Sequence, residues 1–187
     1  MSYFSIDCEA SGPAAPFYNL LSIGVTEVHP ERDGHVLGPS FYVELRPIFP
    51  GMNAEALAVC GLDVERLARE GVEPRRAMER LNEWVAKENR APGRPVFVGH
   101  NAVFDWAYIS YYYLHFQLEN PFGYKGIDTK SLAMGRLGIS WNATSKENLE
   151  RVLGLPPQEA EKIHRADYDA HYQALILVAL LDRTPSA

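Results

Sequence analysis

The sequence predicts a single α/β domain over residues 1–187, with a mixed five-stranded sheet flanked by helices. Three observations predict it. Three strand-like segments follow one another up to Leu45; the period then turns helical, with only short apolar runs returning; and no repeat, linker or low-complexity stretch divides the chain. With 187 residues, 47% of them hydrophobic, the chain can bury a sizeable core and is not a disordered one.

Tyr3 to Glu9 alternates apolar with small or acidic residues and reads as the first strand. Ala10 to Tyr18 is rich in Ala, Gly, Pro and Ser and reads as a loop. Leu20–His29 and Val36–Leu45 read as the next two strands, with Glu31-Arg32-Asp33-Gly34 as the hairpin turn between them, giving an antiparallel meander. Asn53–Val59 and Asp63–Glu70 are short helices parted by Gly61. Pro74–Glu88 is a longer amphipathic helix, with Ala77, Leu81, Trp84 and Val85 at helical spacing and Pro74 in the first turn. Pro92, Gly93 and Pro95 end it, and Val96-Phe97-Val98 is an apolar run of the buried, parallel kind. A helix from Ala102 to about Leu118 follows. Gly126 to Thr129 is a last strand end, with Asp128 or Thr129 capping the next helix. Ser145 starts another helix, which Gly154 and two prolines stop, and the final helix runs from about Ala166 to Leu181.

Composition excludes several classes. The longest apolar run, Ala174 to Leu181, is too short for a membrane span of about 20 residues. Two cysteines, Cys8 and Cys60, imply no disulfide framework, and with no secretory signal at the start the expected setting is a reducing cytoplasm. A formal net charge of −6 argues against a non-specific duplex binder, unless several acids hold metal; two divalent ions would bring −6 to −2.

The acids point to chemistry. On the first strand Asp7 and Glu9 share one face, roughly 7 Å apart, and Phe4, Ile6 and Cys8 share the other. Such a pair suits gripping hard cations from one side, although a solvated edge strand would give the same pattern. Asp105 sits one turn into a helix that begins where the fourth strand ends, on the inward face with Tyr108, Ile109, Tyr112 and Phe116. Asp169 continues the apolar stripe of the final helix, Tyr172, Ile176, Ala179 and Leu180, one turn back; Asp167 falls on the opposite side. His164 lies about 140° from Asp169 on a continuous helix and need not share its direction.

An Asp-x-Glu strand, an acid one turn into a mid-chain helix and His-x₄-Asp before the last helix, in that order, resemble the DEDDh 3′→5′ exonucleases, the group of proofreading exonucleases, oligoribonuclease and ribonuclease T. The matching residues are Asp7 and Glu9; His100, Asn101, Phe104 and Asp105; and His164 and Asp169, spread over nearly the whole chain. Many relatives have Thr-Gly after the first acids, whereas this chain has Ala10-Ser11-Gly12, which keeps a hydroxyl and a tight turn. The resemblance implies a ribonuclease H-like fold and two Mg²⁺, with Mn²⁺ expected to substitute. It implies Asp7 as the bridge between the ions, Glu9 and Asp169 on the ion nearer the nucleophile, Asp105 acting through water, and His164 as general base. Two such ions, about 3.5–4 Å apart, activate water and offset charge on the phosphate and leaving oxygen.

By the same resemblance Ala10, Ser11, Gly12 and an apolar wedge, Leu62, would meet the terminal nucleotide, with His100, Asn101 and Phe104 beside it. The helix bearing Phe104, Trp106, Tyr108, Tyr111, Tyr112, Tyr113 and Phe116 is aromatic almost all round. It reads as core, or else as a stacking platform or a homodimer face. Lys125, Lys130, Lys146 and Arg165 are cations that could meet phosphates, though scattered lysines are ordinarily solvated. The expected function is metal-dependent 3′→5′ hydrolysis of single-stranded DNA or RNA to nucleoside 5′-monophosphates, at 3′ ends and away from membranes. The alternatives are a polymerase's proofreading subunit and a non-catalytic nucleic-acid- or protein-binding module. Thr184-Pro185-Ser186-Ala187 offers no tail for docking a polymerase, which favours a stand-alone enzyme.

Overall fold

The computed structural model describes residues 1–183; Thr184 to Ala187, and with them the expectation about a docking tail, lie outside the described residues. A five-stranded sheet has the order β3-β2-β1-β4-β5, with β1 Tyr3–Ala10, β2 Leu20–Glu31, β3 Gly34–Glu44, β4 Val96–Gly99 and β5 Gly126–Asp128. The first three strands pair antiparallel, while β1–β4 and β4–β5 pair parallel. This is the ribonuclease H-like arrangement expected. The hairpin is tighter than its four-residue signal, because β2 runs on to Glu31 and pairs with Gly34. The chain leaves β1 toward one edge and β4 toward the other. A crevice therefore opens at their C-terminal ends, the place where open α/β sheets seat ligands.

The helices are α1 Ala54–Cys60, α2 Val64–Glu70, α3 Pro74–Glu88, α4 Val103–His115, α5 Thr129–Leu137, α6 Lys146–Leu153 and α7 Ala166–Asp182. Side chains of Asn53, Asp63, Asp128 and Ser145 cap α1, α2, α5 and α6 by accepting from backbone amides, which settles the choice between Asp128 and Thr129. Two 3₁₀ turns, Trp141–Ala143 and Ala160–Lys162, flank α6. Helix α4 stops three residues short of Leu118, because Gln117 takes φ 55°.

Two layers cover the sheet. Phe4, Ile6 and Cys8 pack with Met78 and Leu81 of α3 and with Tyr108 and Ile109 of α4, so the aromatic helix is largely core, with Val103 and Leu114 left exposed. Helix α7 covers the opposite face, where Ala174 and Leu177 meet Val28 and Val98. No described helix is long and apolar enough to cross a membrane.

Gly24, opposite Asp7 in the β1–β2 ladder, fixes how close α7 comes to the sheet. A Cβ there would lie 2.0 Å from the Ala166 carbonyl oxygen and 2.4 Å from the Asp167 amide nitrogen. Both are backbone atoms and cannot rotate away. Gly24→Ala is expected to cost about 1–3 kcal/mol as an overpacked contact. That lowers the melting midpoint by roughly 2–12 °C, and it displaces Asp169 from Asp7, so a calorimetric scan and a Mn²⁺ titration of the variant should both register it.

Candidate active site

Four acids meet in the crevice. Asp7 and Glu9 project from the end of β1, Asp105 enters from the first turn of α4, and Asp169 from the first turn of α7. Asp105 is buried, and its Oδ1 accepts from the Cys8 amide at 2.9 Å, tying α4 to the strand beside Asp7. Asp169 is buried too, and its Oδ2 accepts from the His164 amide at 2.7 Å. All four line one cleft of about 870 Å³, with His100, Asn101, Phe104 and His164 on its walls.

His164 is exposed and takes the left-handed backbone conformation, φ 66°. Histidine tolerates that region better than most residues, and strained backbone clusters at functional sites. The bend cancels the angular offset expected of a continuous helix. One ring nitrogen of His164 and one carboxylate oxygen each from Glu9 and Asp169 all lie within 4.8 Å of one another. Asp167 faces away and pairs with Arg165 at 3.0 Å.

Crowding and burial govern the protonation of the site. Burial first, then the neighbouring Asp169, push Asp7 up to about 7, against the pull of Lys146 and a hydrogen bond from Gln173. Glu9 rises to about 9, through burial and then Asp7 and Asp169. Asp105 lies well above the ordinary carboxylate range, through burial and then Asp7. Carboxylates that resist ionising side by side are a donor set that wants positive charge, and their hard oxygens suit Mg²⁺ or Mn²⁺. The residues present therefore fit a divalent-ion site.

Two contacts escape a reading of the sequence. Gln173, fully buried, donates from Nε2 to Asp7 Oδ1 at 2.5 Å, while its Oε1 accepts from the His100 amide at 3.1 Å. It sits one turn beyond Asp169, and a polar residue inside an apolar stripe is the signal that could have found it. Lys146 is not merely solvated. Its Nζ is hydrogen bonded to Asp169 Oδ1 and lies 3.8 Å from Asp7 Oδ1.

The expected nucleotide contacts divide. Ala10, Gly12, His100, Asn101 and Phe104 line the cleft. Asn101 has φ 68°, and its amide and that of Ala102 both donate to Asp128 Oδ1. Phe104 packs edge-on against Tyr108 and also lines the cleft. Ser11 is different: it is fully buried, its hydroxyl donates to the Gly51 carbonyl at 2.7 Å and accepts from the Asn19 amide at 2.8 Å. That hydroxyl braces two loops and does not reach the cleft. Leu62 packs beside Leu21, Cys60 and Leu67, because Gly61, at φ 64°, turns the chain after α1. From α1 it is Ala56 and Val59 that line the cleft instead. Lys130 also lines the cleft and lies 4.5 Å over the ring of Trp141.

A family model described as exonuclease matches residues 4–177. The chain belongs to this exonuclease family. Its DEDDh set is the one named above, and members are hydrolytic nucleases that use divalent metal ions. Among its relatives, the 3′-5′ DNA exonuclease Cap18 of Escherichia coli is 35% identical over 182 residues, covering 97% of this chain and 91% of that one. Ribonuclease T of Marinobacter nauticus is 28% identical over 184 residues, covering 95% and 81%. Among solved structures, the nuclease domain of 3′hExo, a DEDDh family member bound to rAMP, matches with a TM-score of 0.78 at 12% identity. The match covers 100% of this chain and 96% of that one, a likeness of fold.

Proposed function

We propose that this exonuclease hydrolyses single-stranded nucleic acid from the 3′ end, releasing nucleoside 5′-monophosphates, and acts as a stand-alone enzyme in the cytoplasm. The observation that carries the reading is the meeting of Asp7, Glu9, Asp105, Asp169 and His164 in one cleft. DNA is the first substrate to try, because the relative named for DNA is 35% identical and the one named ribonuclease T is 28% identical.

Asp7, Glu9, Asp105 and Asp169 would hold two divalent ions, Mg²⁺ or Mn²⁺. Bound there, such ions supply a more acidic water and relieve charge on the phosphate and the departing 3′ oxygen. The chain's own residues do the rest. His164 accepts the proton of the attacking water at a ring nitrogen, since imidazole can exchange a proton near neutral pH. Ala10 and Gly12 give the terminal nucleotide a wall without bulky side chains, and Phe104 presents a ring for sugar or base to pack on. Gln173 holds Asp7 in place from behind. The test is a time course on oligonucleotides labelled at either end, with Mg²⁺ or with chelator. Metal-dependent shortening from the 3′ end is expected; cleavage only within the strand, or none, overturns the reading.

Stability of the metal-free protein should depend on pH through the same acids. Asp7 and Glu9 have ordinary values of 3.8 and 4.5 but rise to about 7 and about 9 in the fold. Between those limits the metal-free native state holds protons that the unfolded chain has released. The stability contributed by these two groups is therefore complete below their ordinary values and is lost as pH rises through about 7 and about 9. Divalent ions replace those protons, so the stabilisation by Mg²⁺ should grow with pH. At a hundredfold excess over Kd it amounts to about 2.7 kcal/mol, or roughly 5–10 °C. Melting curves at pH 6 and pH 8.5, with and without Mg²⁺, check it, and an equal metal increment at both would contradict it.

A further inference from the structure

Lys146 takes no part in the chemistry proposed above, yet among the described residues it is the only lysine or arginine paired with Asp7 or Asp169. We propose that Lys146 is a cation placeholder. Its ammonium occupies the carboxylate cluster while divalent ions are absent, and is displaced into the cleft, toward the phosphates of the substrate, when they bind. The inference rests on the divalent-ion reading of the same four acids.

Geometry supports both positions. Lys146 is the first residue of α6, whose N-cap is Ser145 and whose Leu149 is buried against Tyr172 and Ile176 of α7. The backbone that carries the lysine is thus anchored to the helix that carries Asp169. In the observed position Nζ bonds Asp169 Oδ1 and approaches Asp7 Oδ1, the oxygen that also accepts from Gln173. The side chain is 21% exposed and lines the cleft beside Lys130, so it has open space to enter. A lysine suits a movable charge. Its ammonium is compact, its stem flexible and its hydrogen bonds tied to no fixed plane, unlike the fork of an arginine.

Charge supplies the drive. Without metal, Asp7 and Asp169 repel each other at close range, and a single ammonium offsets part of that repulsion. Two divalent ions would bring four positive charges to the same oxygens, and an ammonium among them is repelled. Once displaced, it lies with Lys130 along a wall otherwise poor in positive charge, where a phosphodiester backbone is the available anion.

The test uses the full chain and Mn²⁺ as the probe, followed by its paramagnetic resonance. Lys146→Met keeps the apolar stem and removes the competing charge, so it should bind Mn²⁺ about tenfold more tightly, the least that an opposite charge at this distance does to a carboxylate's proton affinity. In the unaltered chain, acylation by a small amine reagent, read by peptide mass spectrometry, should find Lys146 several-fold more reactive with Mn²⁺ than without. This arm needs no variant to fold. The KM of Lys146→Met for a single-stranded oligonucleotide should rise about tenfold. Equal Mn²⁺ affinity in variant and unaltered chain, or a Lys146 reactivity that Mn²⁺ leaves unmoved, overturns the placeholder; an unchanged KM overturns the hand-over to phosphate. If the unaltered chain binds Mn²⁺ and degrades oligonucleotides while these comparisons fail, the exonuclease reading stands and this inference alone falls. If it binds no Mn²⁺, both fall.

Discussion

Asp7→Asn is expected to lower turnover on a labelled oligonucleotide by a factor on the order of a thousand while raising the melting midpoint of the metal-free protein. The two effects share one cause. Asparagine has nearly the same shape and still offers an oxygen to the Gln173 amide, so packing at the end of β1 is kept. It lacks the charge. The acid proposed to serve both ions is then lost from the set, and metal assistance worth several kcal/mol goes with it. The metal-free fold, however, no longer has to hold a carboxylate that burial first, and then Asp169, lift to about 7. A gain in stability bought with lost function is the mark of a site built against the fold's own preference. Because the acids act as a set, adding Asp169→Asn should cost little further activity. A single variant that retains the original rate would remove Asp7 from the chemistry.

His164→Ala should lower turnover by about 10²–10⁴-fold, the usual range for a lost general base, with Mn²⁺ affinity kept within a few-fold. The separation follows from how the residue is attached. What His164 gives Asp169 is its backbone amide, and any residue other than proline supplies that. The ring itself is exposed and is free to exchange protons with solvent. Alanine fits poorly at φ 66°, whereas asparagine accepts that conformation. His164→Asn is therefore the better-folded partner, and it should show the same fall in rate. Since a His164 nitrogen lies within 4.8 Å of oxygens of Glu9 and Asp169, direct ligation is the rival role. A fall in Mn²⁺ affinity in step with turnover would identify the ring as a ligand.

Much of this was legible in the residues, for identifiable reasons. The two-residue period of β1 put Asp7 and Glu9 on one face, and the ladder with β2 stays regular through Glu9, shifting register only between Glu9 and Ala10. The helical period put Asp105 and Asp169 inward on α4 and α7, where both are buried. Asn53, Asp63, Pro74 and Ser145 marked helix starts to within a residue. What stayed hidden depends on contacts between elements distant in sequence. Lys146 reads as one more surface lysine until α6 docks on α7. Ser11 reads as a free hydroxyl until the loop folds inward and Asn19 binds it. Leu62 is a wedge only by the family resemblance, and the left-handed turn at Gly61 that seats it beside Leu21 and Leu67 has no apolar pattern to announce it. Gly24 was readable in principle, since glycine within a strand often marks close backbone approach.

The hydrogen bond from Gln173 to Asp7 joins residues 166 positions apart, from the first strand to the seventh helix. A chain still emerging from the ribosome, or one clipped ahead of α7, has only three of the four acids and lacks the brace behind Asp7. Such a fragment lacks part of the proposed metal site. The proposed site is therefore complete only once the last helix has docked.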